Sequence, residues 1–372
     1  MIDTISKVDC TGCFGCYNVC PKQCIHMEPD IEGFLYPKVD YNECIECGLC
    51  REVCPSLNKL DVSKNYEEPI VYAAWSLDEE IRLNSATGGI FSELALMILD
   101  KGGYICGAVY NNKHLVEHYI TNKPEGLNLI RQSKYIQSEI GSIFKEIKRL
   151  LIQGETVLFS GTPCQCAGLN KYLGKKYERL IVVDLVCRGV NSPTVYMMFL
   201  KELERIYGAK VSRVGFKDKT YGWNKSCTKV EFENGEAYLQ DRFSDLFMKG
   251  FTKANLYMRA SCSECKYKTF PRGSDITVAD FWRIKLQDET QDIDKGTSLV
   301  MINSERGEAL FDRLKDRLFY ETKTLDEAKF GNPCITKPAK ANENKQDFLD
   351  QLDKMSILEN IERFVKKVDV KK

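Results

Sequence analysis

From Pro69 onward the chain alternates short apolar runs with longer amphipathic ones. Ile70–Ser76, Tyr104–Tyr110, Thr156–Ser160, Leu180–Val186 and Ser298–Asn303 have the length and composition of buried strands. Ser85–Lys101 is amphipathic and predicts a helix, stopped by Gly102-Gly103. Glu139–Ile152 and a stretch from about Pro193 to Tyr207 predict two more helices. Val230–Phe232 and Ala237–Leu239 flank Asn234-Gly235, a hairpin signal. Beyond Lys337 the chain is charged, with Phe348, Leu349, Leu352, Ile357, Ile361 and Phe364 at near-helical spacing, which predicts surface-packed helices. Strands alternating with helices predict an α/β core with some antiparallel hairpins. The most apolar stretch, near Ile90–Val109, is broken by Glu93, Asp100 and Lys101, so no membrane span is expected.

The first 60 residues do not follow this pattern, and composition says why. The chain has 372 residues and 17 cysteines, and nine of those cysteines precede position 55. That break marks a domain boundary, with polar Leu57–Pro69 as the expected linker. The N-terminus carries no signal-peptide pattern, so the expected compartment is the cytoplasm, where dense cysteine points to metal or redox chemistry rather than disulfides. Lys plus Arg equals Asp plus Glu at 53 each, which argues against nucleic acid as a partner. Residues 1–60 hold 5 basic and 9 acidic residues, so an acidic face toward a mildly basic body or partner would aid docking.

Cys10, Cys13, Cys16 and Cys20 are spaced two, two and three residues apart, and Pro21 follows. Cys44, Cys47, Cys50, Cys54 and Pro55 repeat the run about 34 residues later. This is the two-cluster bacterial ferredoxin spacing, in which the fourth Cys of each run ligates the other [4Fe–4S] cluster. One ligand set is therefore Cys10, Cys13, Cys16 and Cys54, and the other is Cys44, Cys47, Cys50 and Cys20. Two-residue gaps wrap three thiolates around one cube, and the longer gap begins a helical turn that carries the fourth away. A pair of zinc sites is disfavoured, because zinc sites use paired Cys-x-x-Cys arms or include His. Cys24 is left spare.

Four further cysteines have ligand-like settings. Cys164 and Cys187 directly follow buried strands, and Cys262-x-x-Cys265 is a clip. Ligands gather at the carboxyl ends of strands in open α/β sheets. Spacing alone leaves open whether these four hold a third cluster or are inert packing, and Cys166 competes with Cys164. Cys106, Cys227 and Cys334 have no ligand signature. Ser85-Ala86-Thr87-Gly88-Gly89 opens the first helix and could cradle an anion such as a flavin diphosphate. On the pattern alone, a plain Ser or Thr N-cap with loop glycines is the better reading of the same residues.

SATGGIFSELA, SKYIQSEIG, VLFSGTPCQCAGL, VVDLVCRGVNSP and CSECKYKTFPRGSDITVADFW, in series over roughly Ile70 to Asn332, resemble the coenzyme F-420 hydrogenase/dehydrogenase beta-subunit family. The resemblance implies an FAD-binding α/β domain with a [4Fe–4S] cluster near the flavin. It implies Cys164, Cys187, Cys262 and Cys265 as ligands of a third cluster. It further implies Ser85, Thr87, Gly88, Gly89, Lys134, Gln137, Ser138, Ser160, Gly161, Thr162 and Asp280 as flavin contacts. Cys166 departs from the family's single cysteine in the Gly-Thr-Pro-Cys-Gln block.

The expected architecture is an α+β ferredoxin-like two-cluster module over 1–60, a larger α/β flavin-binding domain over 70–332, and a helical extension over 333–372. The expected function is an iron–sulfur flavoprotein oxidoreductase. It would take electrons from a soluble donor such as a ferredoxin, or from a partner redox subunit. It would pass them through three clusters and FAD to deazaflavin or a small organic acceptor. The alternatives are an electron-transfer subunit without a substrate site, and a flavin-less partner-binding scaffold. None of the three histidines lies in a family block, so no acid–base catalyst stands out.

Overall fold

The computed structural model describes residues 1–370. Lys371 and Lys372, the end of the expected tail, lie outside the described residues.

In the cysteine-rich module, β1 (Ile25–Pro29) pairs antiparallel with β2 (Leu35–Val39). Each cysteine run feeds a short helix, Gly15–Val19 or Leu49–Glu52. Both helices start from a left-handed residue, Phe14 at φ 63° and Gly48 at φ 78°. That conformation turns the chain sharply between the second and third cysteine of each run. Glycine takes it at no steric cost, whereas phenylalanine does not.

The large domain is built on eight strands. β3 (Ile70–Ser76), β4 (Tyr104–Tyr110), β5 (Val116–Thr121), β6 (Val157–Gly161) and β7 (Leu180–Leu185) belong to this sheet. β8 (Val211–Asp218), β9 (Cys227–Phe232) and β10 (Ala237–Asp241) form a separate antiparallel sheet. β11 (Ile276–Asp280), β12 (Ser298–Ile302) and β13 (Leu318–Lys323) complete the large one, whose order is β13-β3-β12-β11-β7-β6-β4-β5. β4, β6, β7 and β11 are mutually parallel. β12 is antiparallel to both β11 and β3, so β3 runs with the parallel group. The carboxyl ends of β3, β4, β6, β7 and β11 therefore share one edge.

Alternation along the strands splits the core. Leu158, Ile181 and Val183 face the helix Ile90–Leu99, while Val157, Phe159 and Val182 face Ile143–Ile152 and Pro163–Leu173. The second sheet packs with the helices Pro193–Tyr207, Leu246–Thr252 and Ile357–Val370 around Phe199, Phe247, Ile361 and Phe364. Among the described residues no helix is long and apolar enough to cross a membrane.

Two helices start later than the sequence pattern predicts. The first begins at Ile90, not Ser85, because Gly89 takes φ 90° and ends the loop there. The second begins at Ile143 rather than Glu139, since Glu139 bonds with Val116 and His118 of β5. The stretch Leu57–Pro69 is tied down: Asn65 donates to the Arg272 and Ser274 carbonyls, and the Tyr66 hydroxyl to Glu308.

The cysteine-rich module is inlaid in the large domain. Asn18 donates to the Gly141 carbonyl at 2.8 Å, and Ser192 to the Glu32 carbonyl at 2.6 Å. Lys345 pairs with the Glu32 carboxylate at 2.8 Å, and Lys266 with Asp9 at 2.7 Å.

Candidate metal centre and cofactor site

Two cavities lie in the module, and each is lined by one expected ligand set. The outer one, about 350 Å³, is lined by Cys20, Cys44, Cys47 and Cys50, with Cys24 beside them. The inner one, about 330 Å³, is lined by Cys10, Cys13, Cys16 and Cys54. Four expected cysteines lining each cavity match the all-thiolate ligand set of an iron–sulfide cube. Burial pushes the Cys13 thiol up to about 12, and that of Cys16 well above the usual range, with neighbouring thiols adding to both. Thiolates there need positive charge to hold them, and bound iron supplies it. The outer set is more open, with Cys47 exposed. The Sγ atoms of Cys24 and Cys20 are 3.5 Å apart, so Cys24 adjoins the outer set instead of standing apart.

The same fold gathers the other four cysteines. Cys164 sits in the first turn of the helix after β6, Cys187 just past β7, and Cys262 in the short helix Ala260–Ser263. Burial, with contributions from nearby Cys265, Cys262 and Cys13, raises the Cys164 thiol to about 12. Burial likewise raises Cys187, with Cys262, Cys164 and Cys265 contributing. A methyl on Gly189 would lie 3.2 Å from Cys262 Cβ, which puts the strand-end loop of Cys187 against the clip. Cys166 points elsewhere, with its Sγ toward the Gly161 and Val183 carbonyls in the core.

This set lies next to the inner cavity. A Cβ on Gly168, in the helix that carries Cys164, would be 2.8 Å from Cys13 Cβ. Tyr267 is wedged nearby: its hydroxyl is 3.4 Å from Ser56 Oγ, and burial plus Cys13, Cys164 and Cys54 raise its pKa. Arg259 donates from Nε to the Cys10 carbonyl at 2.9 Å, and one of its two terminal nitrogens approaches Cys10 Sγ at 3.6 Å.

The expected flavin contacts occupy several places on one sheet edge. Gly88 N–H bonds to Ser298 Oγ at 2.9 Å, and Ser85 and Ser92 share a hydroxyl bond at 3.0 Å. Among the described residues the buried Thr87 and Thr297 hydroxyls meet no hydrogen-bond partner. Lys219 bonds to the Arg82, Thr87 and Lys295 carbonyls, and burial lowers it to about 7. Lys217 pairs with Asp280 at 2.9 Å, and Trp223 Nε1 donates to the same carboxylate at 2.7 Å. Orphaned hydroxyls beside buried cations fit an anionic ligand.

The other contacts are engaged within the protein. Lys134 Nζ bonds to the Ile130, Arg131 and Gln132 carbonyls. Gln137 bridges Thr11 and Arg259, and so belongs to the seam between the modules. Ser138 Oγ meets His118 Nδ1 at 2.7 Å, while His118 Nε2 meets the Ser160 carbonyl at 3.0 Å. Gly161 ends β6, and Thr162 caps the next helix through a reciprocal bond with Gln165. Sequence reasoning missed His118, Lys217, Lys219, Arg259 and Tyr267. Tyr267 lies two residues past Cys265, which was the only local signal; the rest act across long separations.

Residues 154–328 match the family model for the carboxyl-terminal part of the coenzyme F420 hydrogenase/dehydrogenase beta subunit. Residues 9–58 match the 4Fe-4S dicluster domain. The chain carries the carboxyl-terminal domain of that beta-subunit family behind a 4Fe-4S dicluster domain. The match to the family domain ends at Ala328.

Curated relatives match the dicluster domain. NADH-quinone oxidoreductase subunit I of Pelobacter propionicus is 40% identical over 57 residues, 13% of this chain and 31% of that protein. Ketoisovalerate oxidoreductase subunit VorC of Methanothermobacter marburgensis is 33% identical over 60 residues, 16% of this chain and 76% of that protein. The chain thus spans under a third of the length of the first relative. A chain in the structure of the F420-reducing [NiFe] hydrogenase complex from Methanosarcina barkeri aligns at 19% identity. Its TM-score is 0.48, covering 82% of this chain and 92% of that one.

Proposed function

We propose that this protein is an iron–sulfur flavoprotein oxidoreductase. It would hold a third [4Fe–4S] cluster at Cys164, Cys187, Cys262 and Cys265, and FAD at the edge formed by Ser85–Gly89, Thr297 and Lys219. When bound, the clusters supply one-electron transfer and the flavin exchanges single electrons for pairs. The observation that carries this reading is the contact of Cys13, from the inner cavity, with the helix bearing Cys164. The residues divide the work. Buried thiols exclude water from the inner sites, and Lys219 and the unpaired hydroxyls hold negative charge. His118 locks the Ser138 loop to the end of β6. The donor is a ferredoxin or a partner redox subunit, and the acceptor is deazaflavin or a small organic molecule.

Anaerobic purification followed by iron, sulfide and flavin analysis tests this. About twelve iron and one FAD per chain are expected. Eight iron without flavin would overturn it in favour of a dicluster scaffold. The family's beta-subunit description favours one second reading, a subunit that serves a larger complex. Reduced protein reoxidised by a protein partner, but by no small acceptor or deazaflavin, would establish that reading instead.

A further inference from the structure

Arg259 is buried, at 1% exposure, and its guanidinium is enclosed by the module on the far side of the domain seam. Nε donates to the Cys10 carbonyl, one terminal nitrogen to the Gln137 side-chain oxygen at 2.8 Å, and the other to the Leu35 carbonyl at 3.0 Å. That last nitrogen also faces Cys10 Sγ at 3.6 Å. The guanidinium carbon stands 4.2 Å from the Tyr36 ring centroid and 5.4 Å from that of Phe34. Among the described residues none of these partners is a carboxylate. A buried guanidinium without an anion is costly, and a cation held this way needs negative charge close by. The nearest group that can supply it is the Cys10 sulfur as a metal-bound thiolate.

Among the described residues no fully buried cationic side chain faces the outer set. Lys22, which lines its cavity, is exposed, where water and salt screen it, and the other positive charge there is the amino group of half-buried Met1, near Cys50. A four-thiolate centre gains one negative charge on reduction. A desolvated cation and an N–H bonded to the ligand sulfur both favour the reduced form, and so raise the potential. We propose that Arg259 holds the reduction potential of the Cys10–Cys13–Cys16–Cys54 centre above that of the Cys20–Cys44–Cys47–Cys50 centre, so that an electron arriving at the exposed site is drawn inward. The Arg259 carbonyl also accepts from Cys262 N–H at 2.9 Å, so the residue that touches the inner set anchors the clip beyond it. This inference deepens the proposed function and rests on the two dicluster sites being loaded.

The test is a potentiometric titration of the anaerobic full-length protein, followed by electron paramagnetic resonance. Cys47→Ser identifies the outer signal. Arg259→Met is expected to lower the inner potential by at least tenfold in the one-electron equilibrium, about 59 mV. The outer potential and the iron content should stay unchanged. Arg259→Lys, which keeps the charge but loses the planar fork, should produce a smaller fall. Unmoved inner potential at full iron would overturn the proposal and leave the proposed function standing. Should both variants lose iron, the wild-type order of potentials decides: an inner centre below the outer one refutes it. Wild-type protein without iron would instead sink the proposed function itself.

Discussion

Cys13 lies directly against Gly168: a methyl placed there would sit 2.8 Å from Cys13 Cβ and 3.0 Å from its Sγ. Gly168 is interior to the helix Pro163–Leu173, where glycine is unfavourable by about 1 kcal/mol relative to alanine. Helix propensity alone therefore predicts that Gly168→Ala stabilises the protein. Overpacking against an immobile cysteine costs about 1–3 kcal/mol and should reverse the sign. Thermal unfolding of the iron-loaded variant is expected to show a lower Tm, and a raised Tm would mean the seam yields easily.

Cys164 and Cys166 are two residues apart but face different surroundings. Cys164→Ala is expected to remove about four iron per chain and leave the dicluster signals intact. Cys166→Ala should keep all iron and lose only packing, about 1 kcal/mol for the vacated core volume. Iron analysis of the two variants side by side checks this, and equal iron loss from both would contradict it.

His118 links stability to pH. Burial lowers its pKa from 6.5 to about 4, while the unfolded chain keeps the ordinary value. Between these values the unfolded state binds more protons, so stability rises with pH across the window. The contribution is complete above about pH 6.5 and falls away toward pH 4, by roughly 3 kcal/mol at most. Denaturant unfolding at pH 5 and pH 7 should show this slope, and His118→Gln should flatten it.

How much of this was legible in the sequence depended on distance along the chain. The cysteine runs are local, so their spacing reported both cavities, including the exchange of Cys20 and Cys54 between them. Strands β3, β4, β6, β7 and β12 showed as apolar runs because helices cover both faces. β5, β8 and β13 did not, since Val116-Glu117-His118 and Leu318-Phe319-Tyr320-Glu321 mix polar and apolar positions. The start at Ser85 misled because a small-hydroxyl run before Gly89 looks like a cap, although the left-handed glycine is the true boundary. Arg259 was silent because its partner Cys10 lies 249 residues away.

The anion site proposed beside Lys219 can be tested through protons. Burial holds it at about 7, below its ordinary 10.5, with Arg82 and Lys217 adding to the effect. At pH 8 the folded amine is mostly neutral, and an incoming diphosphate raises its pKa and draws in a proton. Calorimetry of FAD binding to flavin-free protein, in buffers of different ionisation enthalpy, should show uptake approaching one proton. Lys219→Met should remove that uptake and weaken binding.

If electrons pass between the two halves as proposed, the inlaid seam, with Asn18, Gln137, Lys345 and Arg259 reaching across it, changes the kinetic order of that exchange. Two separate proteins must meet by diffusion, at a rate set by their concentrations and slowed or hastened by salt. Here the encounter has already happened and is renewed in every molecule, so the internal step is first-order. Dilution and ionic strength should leave it untouched, and their influence should fall solely on the collision at the exposed end.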